Sequence, residues 1–143
     1  MQNGQAETGL TYAMFLLERE GGQPTRLVEG NLSMTAPNWS PDGSYIAFTR
    51  NDASPALLAA ADAPPTDPQG NLWIVSVADG AETQVTYIDG FARSPVWASD
   101  GRTLAFVTGA GEVELANLDQ PQQVWQVAGP SDLPELTNVF FLP

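Results

Sequence analysis

Residues 36–48 read APNWSPDGSYIAF, and residues 94–106 read SPVWASDGRTLAF. Laid over each other at an offset of 58, Trp39 meets Trp97, Asp42-Gly43 meets Asp100-Gly101, and Phe48 meets Phe106. The same offset carries Phe15 onto Trp73, Gly22 onto Gly80 and Leu27 onto Val85. The register therefore holds from 14–48 to 72–106, which marks an internal repeat rather than a chance motif. A third, partial copy closes the chain: Asn138-Val139-Phe140-Phe141-Leu142-Pro143 aligns with Ala36–Pro41, with Phe141 at the tryptophan position, 44 residues after Trp97.

The two periods differ because of one segment. Phe48 to Leu72 spans 24 positions and Phe106 to Val113 spans 7, so the first repeat carries about 17 extra residues within 51–70, NDASPALLAAADAPPTDPQG. Without them the period is near 44, in the range of four-stranded propeller blades. Strand signals agree. Ile46 and Phe48, Leu104 and Phe106, and Trp73, Val75 and Val77 are spaced two apart, which puts each set on one face of a strand. Ser40-Pro41-Asp42-Gly43 has turn chemistry: Pro presets φ, Asp bonds the backbone, and Gly takes positive φ. Gly21-Gly22 and Asp79-Gly80 mark further hairpins.

Eleven strands are expected, near 12–18, 25–28, 35–39, 45–50, 71–77, 83–87, 93–97, 103–107, 112–118, 123–127 and 137–142. The expected fold is all-β: a partial β-propeller of about two full four-stranded antiparallel blades plus three extra strands. One unit covers 10–143, with a blade half at 10–30, a blade at 35–87 carrying the insert 51–70, a blade at 93–127, and the start of another at 137–143.

Pro37-Asn38-Trp39-Ser40-Pro41-Asp42-Gly43, then Ile46-Ala47-Phe48, then Leu72-Trp73-Ile74 resembles the repeat of TolB-like, WD-type β-propellers. Gly21 through Leu27, and Asp79-Gly80 through Val85-Thr86, resemble the later half of that repeat. Two departures stand out: Ser99 replaces the usual proline, and the last copy stops at Pro143 before its Asp-Gly. The resemblance implies a propeller that serves as a binding platform, as a gating domain of a peptidase, or as a scaffold for polysaccharide chemistry. With the absence of cysteine, it leans toward a periplasmic or extracellular place in the bacterial envelope.

Composition excludes much chemistry. The chain has 143 residues, no Cys, no His and no Lys; five arginines against 17 acidic residues give a formal charge of −12. Thiolate and zinc–thiolate sites, Ser-His-Asp catalysis and Schiff-base lysines are therefore absent. The acidity argues against nucleic acid and anionic membranes, whose phosphates need clustered cations. Ala13–Leu17 is far too short to span a bilayer and lacks the basic flank of a signal peptide. No cofactor is expected.

Two blades and three loose strands are too few to close a ring, because propellers use four to eight. Open blade faces and sheet edges follow. Three completions are open: the chain is a piece of a longer polypeptide, it assembles with copies of itself, or it packs on a different subunit. In the second, strand 137–142 of one chain shares a blade with strands 12–28 of another, giving about six blades. A stable lone monomer is not expected.

Each candidate site has a plainer structural alternative. Trp39, Trp73, Trp97 and Trp125 could form a sugar platform, but Trp39 and Trp97 recur at equivalent positions as blade packing requires, and only Trp125 lacks a repeat partner. Asp42 and Asp100 could bind calcium, yet no alternating run of oxygen ligands accompanies them, and turn bonding suffices. Glu112 and Glu114, like Glu18 and Glu20, could pair for acid–base work, but acids on a solvated strand face need no such role. Ser40, Ser54, Ser76 and Ser99 lack an activating base. In the insert, Leu57 and Leu58 offer apolar anchors while Pro64 and Pro65 stiffen the chain, so these four residues and Trp125 are the candidate partner contacts. The expected function is non-enzymatic protein binding or scaffolding; the alternative is the non-catalytic or gating propeller portion of a larger peptidase or polysaccharide-acting enzyme.

Overall fold

Ile46 and Phe48 cannot both be buried on one side of a strand unless something packs there, and Ala47 on the opposite side needs its own cover. The computed structural model supplies both. It describes residues 12–30, 34–50, 70–129, 132 and 139–142, and among these there is no helix. Ten strands form: β1 (Tyr12–Leu16), β2 (Thr25–Gly30), β3 (Met34–Trp39), β4 (Tyr45–Arg50), β5 (Asn71–Ser76), β6 (Glu82–Gln84), β7 (Ala92–Trp97), β8 (Thr103–Thr108), β9 (Val113–Asn117) and β10 (Gln120–Ala128). They make three antiparallel sheets: β1-β2, the blade β3-β4-β5-β6 and the blade β7-β8-β9-β10.

The repeat is visible in the pairing register. Trp39 pairs with Ile46 and Trp97 with Leu104; both inner strands bulge just before the tryptophan, between Thr35 and Asn38 and between Arg93 and Val96. Pro37 and Pro95 sit in those bulges, where a missing N–H costs no ladder bond. Tyr45 pairs with Ser76 while Thr103 pairs with Asn117, so the offset falls from 58 to 41 across the insert, a difference of 17. Phe15 pairs with Arg26 as Trp73 pairs with Gln84. The β1-β2 pair is thus the outer half of a blade, equivalent to β5-β6.

The blades stack face to face through two cores. Ile46, Phe48 and Val75 on one face of the first blade pack with Val28, Met14, Leu16 and Leu27 of the half-blade. Ala47, Leu72 and Ile74 on the other face pack with Trp97, Leu104, Phe106 and Ala116 of the second blade. The blades do not close into a ring among the described residues.

Two expected strands differ. The strand expected at 83–87 stops at Gln84, because the Thr86 hydroxyl takes over as acceptor for the Leu72 amide at 3.0 Å and donates to Asn71 Oδ1 at 2.9 Å. Within the expected strand 137–142, residues 139–142 are not in a strand, and the rest lies outside the described residues.

Candidate functional site

The hairpin turns carry the acids that the sequence singles out. Asp42 Oδ1 accepts from the Ser40 hydroxyl at 2.7 Å and from the Ser44 amide at 3.0 Å, and Oδ2 accepts from the Ser44 hydroxyl at 2.9 Å. These bonds, the Ser40 hydroxyl first, hold its carboxyl down to about 2. Asp100 accepts from the amides of Arg102 and Thr103, both at 2.8 Å, and from the Thr103 hydroxyl at 2.7 Å; the Arg102 amide leads in lowering its pKa. Gly43 and Gly101 follow with φ of 75° and 66°. The geometry uses both carboxylates to close turns, where positive φ makes glycine the fitting residue. Among the described residues no group of three or more potential metal ligands gathers.

The tryptophans separate by environment. Trp97 is 7% exposed and donates its indole N–H to the Asn38 carbonyl of the preceding blade at 3.1 Å. Asn38 answers with its side-chain amide on the Pro95 carbonyl at 3.2 Å. Trp73 is partly buried against the half-blade, with the Arg50 guanidinium 4.5 Å from its ring. Trp39 departs from the core position that its repeat partner predicts: it is 50% exposed. Among the described residues the half-blade in front of it has outer strands only, and none of them gives Trp39 the wall that Asn38 provides for Trp97. Trp125 on β10 is 41% exposed, next to Leu115 across the ladder.

A groove of about 500 Å³ opens on the second blade, between the segment that leads into β7 and the β8-β9 turn, bordered by Ile88, Asp89, Phe91, Thr108, Glu112 and Glu114. Glu114 is not on a fully solvated face. It pairs opposite Phe106, whose side chain turns toward the first blade, and burial, followed by the charge of Glu112, pushes its pKa up. One carboxylate oxygen of Glu114 is buried with no hydrogen-bond partner, while Glu112 accepts from the Thr108 hydroxyl at 3.5 Å. Sequence alone missed this because period-two spacing says which residues share a face and not which way the face points. Glu18 and Glu20 are exposed.

The insert meets the fold at this groove. The Gly70 amide donates to the Gly90 carbonyl and the Ala92 amide to the Gly70 carbonyl, both at 2.8 Å. A Cβ on Gly70 would lie 2.6 Å from the Phe91 ring, so only glycine fits. Leu57, Leu58, Pro64, Pro65 and Ser54 lie outside the described residues.

Set beside known proteins, the chain matches no family model. The crystal structure of TolB from Acinetobacter baumannii superposes with a TM-score of 0.61 at 19% sequence identity, covering 82% of this chain and 26% of that one. The fold is that of a TolB-like propeller. In sequence, the chain is 27% identical over 77 residues to the "Uncharacterized peptidase YuxL" of Bacillus subtilis (strain 168), which is 54% of this chain and 10% of that protein. The chain thus spans about a quarter of the TolB structure and a tenth of the peptidase.

Proposed function

We propose that the chain is a non-enzymatic protein-binding module built from TolB-like blades. The observation that carries this reading is the contrast between two equivalent residues: Trp97 is buried against the first blade, while Trp39 is half exposed. An apolar aromatic held bare on a rigid sheet stack is a ready anchor for a protein surface. Leu57, Leu58, Pro64 and Pro65 of the insert are proposed as a second contact element, rooted at Gly70 beside the groove. Light scattering tests the reading. Complexes above the 15.2 kDa chain mass at micromolar concentration, weakened by Trp39→Arg, are expected. A lone, compact chain that binds no protein and turns over a peptide or glycoside substrate would contradict it.

A second reading is favoured by the partial match to the peptidase: the module is the non-catalytic propeller portion of a larger hydrolase. Coding sequence beyond residue 143 that specifies a hydrolase domain would select it.

A further inference from the structure

The chain holds four Asp-Gly steps: Asp42-Gly43, Asp79-Gly80, Asp89-Gly90 and Asp100-Gly101. Each sets a side-chain carboxyl beside the main-chain amide best able to attack it, because glycine has no Cβ to hinder the approach. Three of the four are locked. The Gly43, Gly80 and Gly101 amides donate to the carbonyls of Ser40, Ser76 and Ala98 at 2.9, 2.9 and 3.1 Å. Their aspartates are engaged as well: Asp42 accepts from Ser40 and Ser44, Asp79 from the Ala81 amide at 3.0 Å, and Asp100 from Arg102 and Thr103. These bonds hold the three carboxyls below the usual carboxylate range, led by the Ser40 hydroxyl for Asp42, the Ser76 hydroxyl for Asp79 and the Arg102 amide for Asp100. A carboxyl kept ionised resists nucleophilic attack, since oxide is not a leaving group.

Asp89-Gly90 differs on every count. Asp89 is exposed, and its carboxyl has no hydrogen-bond or ion-pair partner among the described residues. The Gly90 amide donates to none of them either. Gly90 sits at φ 118° with open space where a Cβ would stand. Nothing therefore holds the two reacting groups apart.

We propose that Asp89 is a site of spontaneous isomerisation to isoaspartate, and that the change loosens the bridge between Gly70 and Phe91 next to it. The Gly90 nitrogen attacks Cγ of the protonated Asp89 carboxyl and forms a new N–C bond. The Cγ–OH bond breaks, and the hydroxyl leaves with the amide proton as water, giving a five-membered succinimide. Water then adds to one of the two ring carbonyls. Cleavage of the bond from nitrogen to the former main-chain carbonyl carbon yields isoaspartate; cleavage of the new bond restores aspartate. Water lost equals water regained, and no oxidant or reductant enters.

The product has one more methylene in the main chain between Asp89 and Gly90, and a free carboxylate on the former main-chain carbon. That place in the fold is sensitive. The Gly90 carbonyl accepts from the Gly70 amide and the Gly70 carbonyl from the Ala92 amide, both at 2.8 Å, in a parallel bridge. The Phe91 ring packs over Gly70 so closely that a Cβ there would be 2.6 Å away. A longer link ahead of Gly90 displaces its carbonyl from the Gly70 amide, and such bonds weaken steeply with distance and angle. Asp89 and Phe91 also border the groove, so its wall moves with them.

The test is incubation of the wild-type chain in mildly acidic buffer, folded and in denaturant, followed by peptide mapping with electron-transfer fragmentation, which tells isoaspartate from aspartate at each position. In the folded chain, isoaspartate should accumulate at Asp89 about tenfold or more faster than at Asp42, Asp79 or Asp100. In denaturant the four sites should react at similar rates. Asp89→Glu, whose ring closure would need six members, should abolish the product at 89. The isoaspartate form, separated by chromatography, should show faster amide exchange at Gly70 and Ala92 by NMR than the unmodified chain, with Leu104 unchanged. Isomerisation at Asp89 no faster than at the three engaged aspartates in the folded chain overturns the proposal. So does unaltered exchange at Gly70 and Ala92 in the isoaspartate form.

Discussion

The Trp97 indole donates to the Asn38 carbonyl at 3.1 Å, 59 residues away in sequence and on the neighbouring blade. This bond joins the inner strands β3 and β7. It also shows how one blade depends on the next: half of the tryptophan's environment belongs to the preceding repeat.

Trp97→Ala should therefore destabilise the chain by about 3–5 kcal/mol, the usual range for a truncated core aromatic. Trp39→Ala in the monomer should cost only about 1 kcal/mol, since half of that side chain is already in water. Denaturant unfolding of the two variants at low protein concentration checks the difference; equal losses would contradict the placement of Trp39.

Asp42 sets an acid limit. Its carboxyl titrates near 2 in the fold against an ordinary value of 3.8, so between those values the unfolded chain takes up a proton that the folded chain refuses. The turn's stabilisation is present above pH about 4 and is lost as pH falls toward 2. Asp42→Asn should be less stable than wild type at pH 6 and approach it at pH 2.5. Thermal melting at the two pH values reads this directly.

Glu114 works the other way. Its pKa is raised, so the folded state disfavours the charged form and loses stability as pH rises past the carboxylate range. Glu114→Gln should raise the melting temperature at pH 7, with the gain shrinking at pH 4, where both states are largely neutral. A gain that is the same at both values would assign the effect to packing.

Gly70→Ala should cost about 1–3 kcal/mol, because the added methyl meets the Phe91 ring and overpacks the strand entry. Phe91→Ala in the same chain should recover part of that loss. Double-mutant unfolding checks the coupling.

Much of the fold was legible because blades are repeats, and one offset aligned strands, bulges and turns together. The 17-residue surplus read between Phe48 and Leu72 is the one that the equivalent pairs Tyr45–Ser76 and Thr103–Asn117 give. Asp42-Gly43 and Asp100-Gly101 were readable because their turn chemistry is local. Trp39 was not, because its burial depends on a neighbour that the sequence pattern does not contain. Glu114 was hidden for a related reason: its orientation follows from pairing with Phe106, a matter of which face meets which blade. The end of β6 was missed because the Thr86 hydroxyl replaces a backbone group, and hydropathy does not register that exchange.

Hydroxyl-radical footprinting of Trp39 and Trp97, read by mass spectrometry over a range of protein concentrations, tests the account most directly. Trp97 should be protected at every concentration, while Trp39 should be labelled when dilute and protected when concentrated. Equal labelling of both, or a Trp39 protected even at the highest dilution, would contradict an open blade face completed by another chain.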